Sequence, residues 1–344
     1  MREIISTNDL SKRVVVEYHD EIGQLAQTFN IMVNGLEQAY REIKRFALKA
    51  AVARTHEKKI KELFQQYVPQ EVIDQVMLNQ GRVVPEQEVL CIMFSHITNF
   101  PDVASNIAPD ELVQSLEPYY KAMVDTILDR GGMVDKYITD AVMAFFGAPV
   151  KKDDDPLRSV LAGIEMTEAL REFNRRRSAS GMKPFNVSVG INRGLVTVGT
   201  IGTEDKLSYT VIGDAVNLAS RLSGLTKIYK QDLLFSESLH RSVKAELQCR
   251  LLDSVAVKGR KKGVKIYTAR RKLSSNEREG WGLHNMGMAE YYERNFAKAA
   301  TYFRDALKAL PGDPVAAMLM ERSTKYRNDP PPSEWDGVEV MTHK

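Results

Sequence analysis

An apolar seam near the N-terminus is the sequence feature that most constrains the fold. Apolar residues recur at alternating spacings of three and four over more than six heptads, and no proline interrupts the pattern before Pro69. A repeat of this length predicts a two-stranded, parallel coiled coil rather than an ordinary globular helix. At about 1.5 Å per residue, the helix would reach roughly 69 Å. The seam consists of Ile22, Leu25, Phe29, Met32, Leu36, Ala39, Ile43, Phe46, Ala50, Ala53, Ile60, Phe64 and Tyr67.

Small or charged residues occupy the middle of this seam, at Ala50, Ala53 and Glu57. Such residues lower the stability of a coiled coil, and they can fix one register or permit two. Two interpretations stay open: a stalk that only dimerises the chain, or a helix that transmits a signal.

The composition is that of a soluble globular protein, with 43% hydrophobic and 27% charged residues. The net charge of +3 gives no indication of a nucleic-acid partner, and we interpret the local basic runs as solvated surface. Cys91 and Cys249 are too few for a disulfide framework or a metal cluster, which favours a reducing compartment. No stretch approaches about 18 consecutive apolar residues and no signal peptide is present, so we expect that this chain does not itself span a membrane.

Residues 88–272 change character, because short strand-like runs alternate with helical stretches. This alternation predicts an α/β or α+β sheet with helices packed on it. The strand-like runs are VLCIMF, AVMAFFG, FNVSVGI, VTVG, DLLFS and VKIYTA, and the helical ones include APDELVQSLEPYYKAMVDTILDR, PLRSVLAGIEMTEALREFNRRR and GDAVNLASRLSGL.

Two stretches carry polar side chains that could form a site. In GGMVDKYITDAVMAFFGAP, a strand–turn–strand, Asp140 sits in the turn and Lys136 four residues earlier; a carboxylate in a turn often serves only the turn. In SYTVIGDAVNLASRL, Asn217 and Arg221 lie one helical turn apart, so they share a face near a helix N-terminus. Such a pair could hold phosphate, or Asn217 could satisfy backbone groups while Arg221 is a surface charge.

The C-terminal region is again helical over residues 280–325. Gly287, Ala299, Phe303 and Ala306 sit at spacings that resemble one tetratricopeptide repeat. One repeat cannot bury both of its faces, so it must pack on its own chain or offer a groove to a protein partner. Three prolines exclude a helix in the tail that follows, which Trp335 is expected to anchor.

The N-terminal stretch NDLSKRVVVEYHDEIGQLAQTFNIMVNGL resembles the second half of a HAMP domain, the linker that carries signals below membrane receptors. The most specific part is Asp20-Glu21-Ile22-Gly23 followed by Phe29-Asn30 and Met32. Because most of the first HAMP helix is missing, the resemblance implies a piece of a longer receptor. It implies a cytoplasmic location below a bacterial inner membrane, with membrane attachment only through the missing N-terminal region.

The central region resembles the class III nucleotide cyclases, which convert ATP or GTP into the 3′,5′-cyclic monophosphate. The resemblance rests on LFQQYVPQEVIDQVM, KYITDAVMAFFGAP, VSVGINRGLVTVGTIGTEDKLSYTVIGDAVNLASRL and VKGRKKGVKIYTARR. It implies an α+β fold, a ferredoxin-like βαββαβ sheet, that works as a head-to-tail homodimer with its two sites at the interface. The domains expected are a partial HAMP (1–40), a coiled-coil signalling helix (41–68), the cyclase domain (69–272), tetratricopeptide-like helices (273–328) and an irregular tail (329–344).

The resemblance also implies roles for particular residues. Lys136 and Thr210 fall where the family reads the base, and a lysine with a small hydroxyl resembles the adenine-type pair. Asn217 and Arg221 fall where the family orients the ribose and stabilises charge on the phosphate. Lys258 matches the lysine that holds the terminal phosphates. The implied reaction forms cyclic AMP and pyrophosphate from ATP.

Two positions of the implied metal site depart from the family. Asp140 matches one of two aspartates that bind a pair of divalent ions, Mg²⁺ or Mn²⁺, but His96 stands at the position of the other. Thr139 stands where the family usually has glycine. An imidazole is a poor ligand for Mg²⁺ and suits Mn²⁺ or Zn²⁺ better.

Three interpretations of His96 stay open: a natural loss that leaves a degenerate cyclase, a weak or Mn²⁺-dependent cyclase, or an engineered replacement in an active enzyme. The sequence therefore predicts a cyclase with weakened activity. The alternative is an inactive cyclase-like dimer that regulates or scaffolds a receptor.

Overall fold

The chain forms two compact units, residues 1–70 and 71–344. Tyr67 and Lys258 lie outside the residues that the structure describes, as do the side chains of Ala50, Ala53, Glu57, Ile60 and Phe64. None of the helices in the described part is both long and apolar enough to cross a membrane. The computed structural model describes residues 11–16, 20–65, 72–74, 83–203, 206–256 and 263–340.

The N-terminal unit contains one long helix, α1 (Glu21–Gln65), as the seam predicts. The helix begins after Asp20, whose Oδ1 accepts hydrogen bonds from the amides of Ile22 and Gly23, both at 3.1 Å. A carboxylate at this position satisfies amides that have no partner within the helix. Residues 11–16 lie against the helix, where the amide and carbonyl of Val14 exchange hydrogen bonds of 2.8 and 2.7 Å with the side chain of Asn30.

The seam of α1 is exposed on the single chain. Ile22 and Phe46 expose 67% and 79% of their surface, and Leu25, Met32, Leu36 and Ile43 are exposed in the same way. The buried residues of α1, such as Ala26 and Val33, are not part of this seam. A continuous apolar row of this kind marks an interaction surface. The parallel coiled coil stays a prediction, and the exposed seam is the surface on which it would form.

The second unit is built on one nine-stranded sheet. Eight strands follow the order β2-β3-β1-β4-β6-β8-β7-β9, and the ninth, β5, pairs antiparallel with β4. Its strands are β1 (Glu86–Ile97), β2 (Met133–Ile138), β3 (Ala141–Phe146), β4 (Val187–Thr203), β5 (Lys206–Ile212), β6 (Leu233–Ser236), β7 (Gln248–Ala256), β8 (Val264–Arg270) and β9 (Glu339–Val340). The helices are α2 (Phe100–Ser105), α3 (Pro109–Asp129), α4 (Asp155–Ala179), α5 (Asp214–Tyr229), α6 (Glu237–Val243), α7 (Ser275–Tyr292), α8 (Phe296–Ala309) and α9 (Pro314–Asn328).

The first four strands confirm the predicted ferredoxin-like core. Strand β1 pairs antiparallel with both β3 and β4, and β2 pairs antiparallel with β3. With α2 and α3 after β1 and α4 after β3, the chain order is βαββαβ. The fold class is therefore α+β, with further strands on the β4 side of the core.

Alternating residues of the strands enter two separate apolar cores. In β6, Leu233 and Phe235 join the core beneath α3 and α4, whereas Leu234 joins the core beneath α5 and the C-terminal helices. Successive side chains of a strand point to opposite faces, so the two cores cover the two faces of the sheet. The C-terminal helices thus share a core with α5.

Helix α5 packs directly on two glycines of β4. A Cβ atom at Gly190 would lie 2.1 Å from the amide nitrogen of Ser223 and 2.4 Å from the carbonyl oxygen of Ala219. A Cβ at Gly194 would lie 2.7 Å from the Cβ of Ala215. Only glycine permits this approach of helix backbone to strand backbone. The position of α5 is therefore set by the sequence of β4.

The C-terminal helices dock on β7 through a buried polar cluster. The guanidinium of Arg250 makes two 2.7 Å hydrogen bonds to the carboxylate of Asp313, which also caps α9 by accepting from the amide of Ala316. A third contact of 2.8 Å joins Arg250 to Nδ1 of His284, and His284 Nε2 lies 2.7 Å from the carbonyl of Leu251. This packing agrees with the prediction that the segment docks on its own chain; its assignment as a tetratricopeptide repeat stays a prediction.

The tail closes this helical segment, as expected for Trp335. Its indole ring meets the rings of Tyr291, Phe296 and Tyr326 at centroid distances of 5.3, 5.8 and 5.6 Å. Arg294 donates to the carbonyls of two tail prolines. The aromatic face of the helices is thus covered by the chain itself.

We predict that Gly190→Ala destabilises the second unit by about 1–3 kcal/mol, because the added methyl group overlaps the backbone of α5. Thermal unfolding measures this as a lower Tm. The matched control is Gly224→Ala, a position on α5 where an added Cβ meets nothing within 4 Å. Alanine is the better helix former, so the control should be neutral or slightly stabilising. Equal Tm values for the two variants would contradict the close contact.

We predict that His284 makes the fold sensitive to acid. Burial, with the charge of Arg250 in second place, lowers the pKa of His284 from 6.5 to about 3. Since the unfolded state then binds more protons, stability is full above about pH 6.5 and falls as the pH drops towards 3. In His284→Gln, which does not titrate, Tm should fall less steeply between pH 7 and 5. Parallel Tm profiles for both proteins would show that His284 titrates normally.

Candidate active site

Asp140 lies in the two-residue turn of the β2–β3 hairpin, where it is almost fully buried. Its Oδ2 accepts a 2.9 Å hydrogen bond from the amide of Ile97, at the end of β1. Its Oδ1 accepts a 3.1 Å hydrogen bond from the hydroxyl of Thr139. The hairpin turn and the end of β1 are therefore joined at this carboxylate.

Thr139 adopts a backbone conformation that favours glycine. Its φ angle is +54°, in the left-handed region, which a β-branched residue rarely adopts. The hydroxyl of Tyr120 donates to the carbonyl of Thr139, and Tyr120 in turn packs against Tyr137 with ring centroids 4.9 Å apart. These contacts hold the turn in place without the glycine that the family usually has.

His96 lies next to Ile97 on β1 and is half-buried. Burial lowers the pKa of His96 below its ordinary value; the negative charge of Asp140 opposes this shift, and the ammonium of Lys227 adds to it. The amide of Ile97, the next residue along β1, donates to Asp140, so the backbone of His96 lies beside this carboxylate. A neutral imidazole has a free lone pair that can bind a metal ion.

The donor set at this corner is one carboxylate and one imidazole. The described residues hold no group of three or more histidine, cysteine, aspartate and glutamate side chains that could bind a metal ion. Asp140 fits one divalent ion whose other ligands would be nucleotide phosphates and water. A second carboxylate to bridge two Mg²⁺ ions is absent from the two predicted positions, because His96 carries no negative charge.

Lys136 and Thr210 come together, although they lie on different strands. Lys136 Nζ donates a 3.1 Å hydrogen bond to Thr210 Oγ1. Thr210 Oγ1 donates its own proton to Oδ2 of Asp135 at 2.6 Å, and Oδ1 of Asp135 lies 3.1 Å from the Lys136 ammonium. The Asp135 side chain is 1% exposed, whereas Lys136 reaches solvent. The three side chains form one polar cluster.

The sequence analysis missed Asp135, for a structural reason. In a regular strand, Asp135 and Lys136 would point to opposite faces of the sheet. The register of β2 against β3 shifts between Val134 and Lys136, as in a β-bulge. The bulge turns both side chains towards Thr210 on β5. A charged pair inside a short strand was the only signal available in the sequence.

Asn217 and Arg221 occupy one face of α5, as predicted from their spacing. Asn217 is exposed and Arg221 is half-buried, and neither side chain is hydrogen-bonded to another described residue. The first turn of α5 is tied to the sheet by Asn192, whose amide donates to the carbonyl of Ala215 at 3.0 Å. Of the predicted residues, the structure joins Lys136 with Thr210 and places His96 beside Asp140. Within the described residues, neither Asn217 nor Arg221 is hydrogen-bonded to either pair, although Lys227 of the same helix is close enough to His96 to affect its pKa.

The sequence matches two known families. Residues 83–270 match the adenylate and guanylate cyclase catalytic domain, and residues 3–38 match the HAMP domain. The catalytic match includes β1 to β8 and all the predicted site residues.

Curated relatives include adenylate cyclases of bacteria. An adenylate cyclase of Anabaena cylindrica is 34% identical over 279 residues, which cover 76% of this chain and 51% of the relative. Adenylate cyclase 1 of Rhizobium meliloti is 31% identical over 207 residues, which cover 59% of this chain and 31% of the relative. The chain thus spans about half, or less, of the length of these relatives.

Solved structures show the same fold. The adenylyl cyclase CyaB of P. aeruginosa superposes with a TM-score of 0.52 at 32% identity, covering 56% of this chain and 100% of that one. The guanylyl cyclase Cya2 gives a TM-score of 0.51 at 31% identity, with 56% and 96% covered. An adenylyl and a guanylyl cyclase superpose equally well, so structural similarity does not distinguish adenine from guanine as the base of the substrate. The chain belongs to the family of class III adenylate and guanylate cyclase catalytic domains, here preceded by a HAMP domain.

Proposed function

We propose that this chain is the adenylate cyclase output of a receptor and converts ATP into 3′,5′-cyclic AMP and pyrophosphate. The observation that carries the proposal is the cluster in which Asp135 and Lys136 converge on Thr210. Cyclase domains of this family bind a nucleotide, work as dimers and depend on divalent metal ions. The cluster supports adenine as the base.

The hydrogen-bond directions in the cluster favour adenine over guanine. The edge of adenine offers a ring nitrogen that accepts and an amino group that donates, whereas guanine reverses this pattern. The ammonium of Lys136 can only donate. Since Thr210 gives its proton to Asp135, its remaining lone pair can accept from the adenine amino group. The same hydroxyl has no second proton for the guanine carbonyl.

The reaction joins the ribose 3′-oxygen to the α-phosphorus and breaks the bond from that phosphorus to the leaving pyrophosphate. The 3′-hydroxyl loses its proton as this bond forms. Asn217 would orient the ribose, Arg221 would neutralise charge on the α-phosphate, and Lys258 would hold the terminal phosphates. A divalent ion, when bound, would lower the pKa of the 3′-hydroxyl and screen the phosphates.

Asp140 would hold that ion from the hairpin turn, and His96 would supply a nitrogen ligand. A carboxylate with an imidazole suits Mn²⁺ better than Mg²⁺, which prefers oxygen ligands. We therefore propose an enzyme that is weak with Mg²⁺ and more active with Mn²⁺, in place of the family's two-ion site.

A second candidate function is a catalytically inactive cyclase-like dimer that regulates or scaffolds a receptor. His96 and Thr139 favour it, because two neighbouring positions of one metal site both depart from the family. In this case ATP would bind without turnover, and the dimer would pass receptor state to a protein partner.

The dimer is proposed to form through the exposed seam of α1 as well as through the cyclase domain. The HAMP match and the seam, including Ile22 and Phe46, support a parallel pair of chains. A chain with this organisation would lie on the cytoplasmic side of a bacterial inner membrane, below a sensor.

The deciding experiment measures cyclic AMP formation from ATP with Mg²⁺ and with Mn²⁺, beside an Asp140→Ala control. Turnover that disappears in the control would establish the enzyme and make His96 a tolerated substitution. ATP binding without turnover under either ion would favour the regulatory dimer.

We predict that His96→Asp raises cyclase activity with Mg²⁺ at least tenfold, a gain of about 1.4 kcal/mol in transition-state stabilisation. The restored carboxylate supplies the negative charge and the oxygen ligand that Mg²⁺ requires. The gain should be smaller with Mn²⁺, which the imidazole already suits. No gain with Mg²⁺ would show that the site is impaired beyond His96, with Thr139 as the next position to restore.

We predict that Thr210→Val lowers kcat/KM for ATP about tenfold, because one hydrogen bond to the base is lost and the carboxylate of Asp135 loses one of its hydrogen-bond partners. The measurement is the ratio of kcat/KM for ATP to kcat/KM for GTP. Thr210→Ser, which keeps the hydroxyl, is the matched control and should retain the preference for ATP. An unchanged ratio in the valine variant would remove Thr210 from base recognition.

A further inference from the structure

Helix α5 has a second face that the reaction does not use. Leu218, Leu222, Leu225 and Tyr229 are buried there in the core that α5 shares with the C-terminal helices. That core contains residues from all three of these helices: Met288, Tyr291, Phe296, Ala299, Phe303, Val315 and Leu319. The helix that carries Asn217 and Arg221 therefore lies between the candidate site and the C-terminal segment.

A hydrogen-bond chain fixes the last residue of α5 to this segment. The hydroxyl of Tyr229 donates to Oδ2 of Asp253 on β7 at 2.8 Å, and Arg322 Nη1 on α9 donates to the same oxygen at 2.8 Å. Both Asp253 and Tyr229 are essentially fully buried. Glu339 of β9 lies 3.5 Å from Arg322 and accepts from Tyr326 at 3.0 Å.

Two ion pairs of opposite polarity hold α9 on β7, one at the start of the helix and one in its middle. At the start of α9, β7 supplies the cation, in the pair Arg250–Asp313. Farther along α9, β7 supplies the anion, in the pair Asp253–Arg322. Removing one partner of a buried pair leaves an uncompensated charge, so the pairs fix one arrangement of α9 on β7. Tyr229 bonds to the second pair and takes its position from it.

We propose that the C-terminal helices act as a positioning element for α5, and that Tyr229, Asp253 and Arg322 are the positioning residues. The middle of α5 rests on Gly190, its first turn is bonded to Asn192, and Thr226 near its end is bonded to Ser188 at 2.7 Å, all on β4. The bond from Tyr229 ties the end of the helix to β7 and, through Asp253, to α9. The C-terminal segment is in this view part of the catalytic unit. The effect on catalysis rests on the proposed function, whereas the positioning of α5 by the C-terminal helices is a property of the fold.

The first test compares Tyr229→Phe with Tyr292→Phe. Each variant loses one hydroxyl from the same aromatic core, but the hydroxyl of Tyr292 is hydrogen-bonded to no other described residue. In Tyr229→Phe we expect amide hydrogen exchange in residues 214–229 to become about fivefold faster, the equivalent of roughly 1 kcal/mol for one hydrogen bond. Tyr292→Phe should leave this segment unchanged. Equal exchange in α5 for both variants would overturn the proposal.

The second test uses the intact chain as an enzyme. Tyr229→Phe should lower kcat about threefold to tenfold with little change in KM for ATP, because Arg221 acts on charge that develops in the transition state. Arg322→Lys should retain more activity than Arg322→Met, because it keeps the charge beside Asp253. A merely structural role would lower the Tm of Tyr229→Phe and leave kcat of the folded protein unchanged.

The two tests separate the proposals. If the wild-type chain neither binds nor cyclises ATP, the proposed function fails, and hydrogen exchange still decides whether Tyr229 supports α5. If the wild type is active but Tyr229→Phe matches Tyr292→Phe in both exchange and kcat, the positioning role fails and the proposed function stands.

Discussion

The contact between Gly190 and the backbone of α5 is the constraint on which the site depends. A side chain at this position would overlap the amide of Ser223, so the helix can lie this close to the sheet only over glycine. The same strand supplies Asn192, which holds the first turn of α5. Strand β4 also pairs with β1, which carries His96, and with β5, which carries Thr210. One strand thus sets the positions of three elements of the candidate site.

The buried charges of β7 serve a different purpose from its apolar residues. Burying Arg250 and Asp253 costs desolvation energy that their partners only offset, so these pairs are weak evidence of added stability. The pairs instead determine how α9 is placed on β7. Each buried charge requires an opposite charge, and β7 supplies the cation in one pair and the anion in the other. A helical segment shifted along β7 would leave both charges without partners, because like charges would meet.

Most of the architecture could be predicted from the sequence where the pattern is regular. The seam of α1, the βαββαβ core and the shared face of Asn217 and Arg221 follow from spacing or from family motifs. The prediction did not include β7, because Arg250 and Asp253 interrupt its apolar pattern, and their ion-pair partners, Asp313 and Arg322, lie more than sixty residues away. Asp135 was missed because a bulge, which the strand pattern does not reveal, turns it towards Thr210.

The two departures from the family affect the candidate site in different ways. Thr139 in a left-handed conformation costs on the order of 1–3 kcal/mol, yet the turn keeps its shape. Tyr120 binds the carbonyl of Thr139, and the Thr139 hydroxyl joins Ile97 in holding the carboxylate of Asp140. The carboxylate of Asp140, the proposed metal ligand, is therefore fixed in place. What His96 changes is the charge and the donor atom, since β1 keeps its pairing with β3 and β4 up to this corner. We therefore expect any loss of activity at this site to arise from the chemistry of its ligands and not from a collapse of the fold around them.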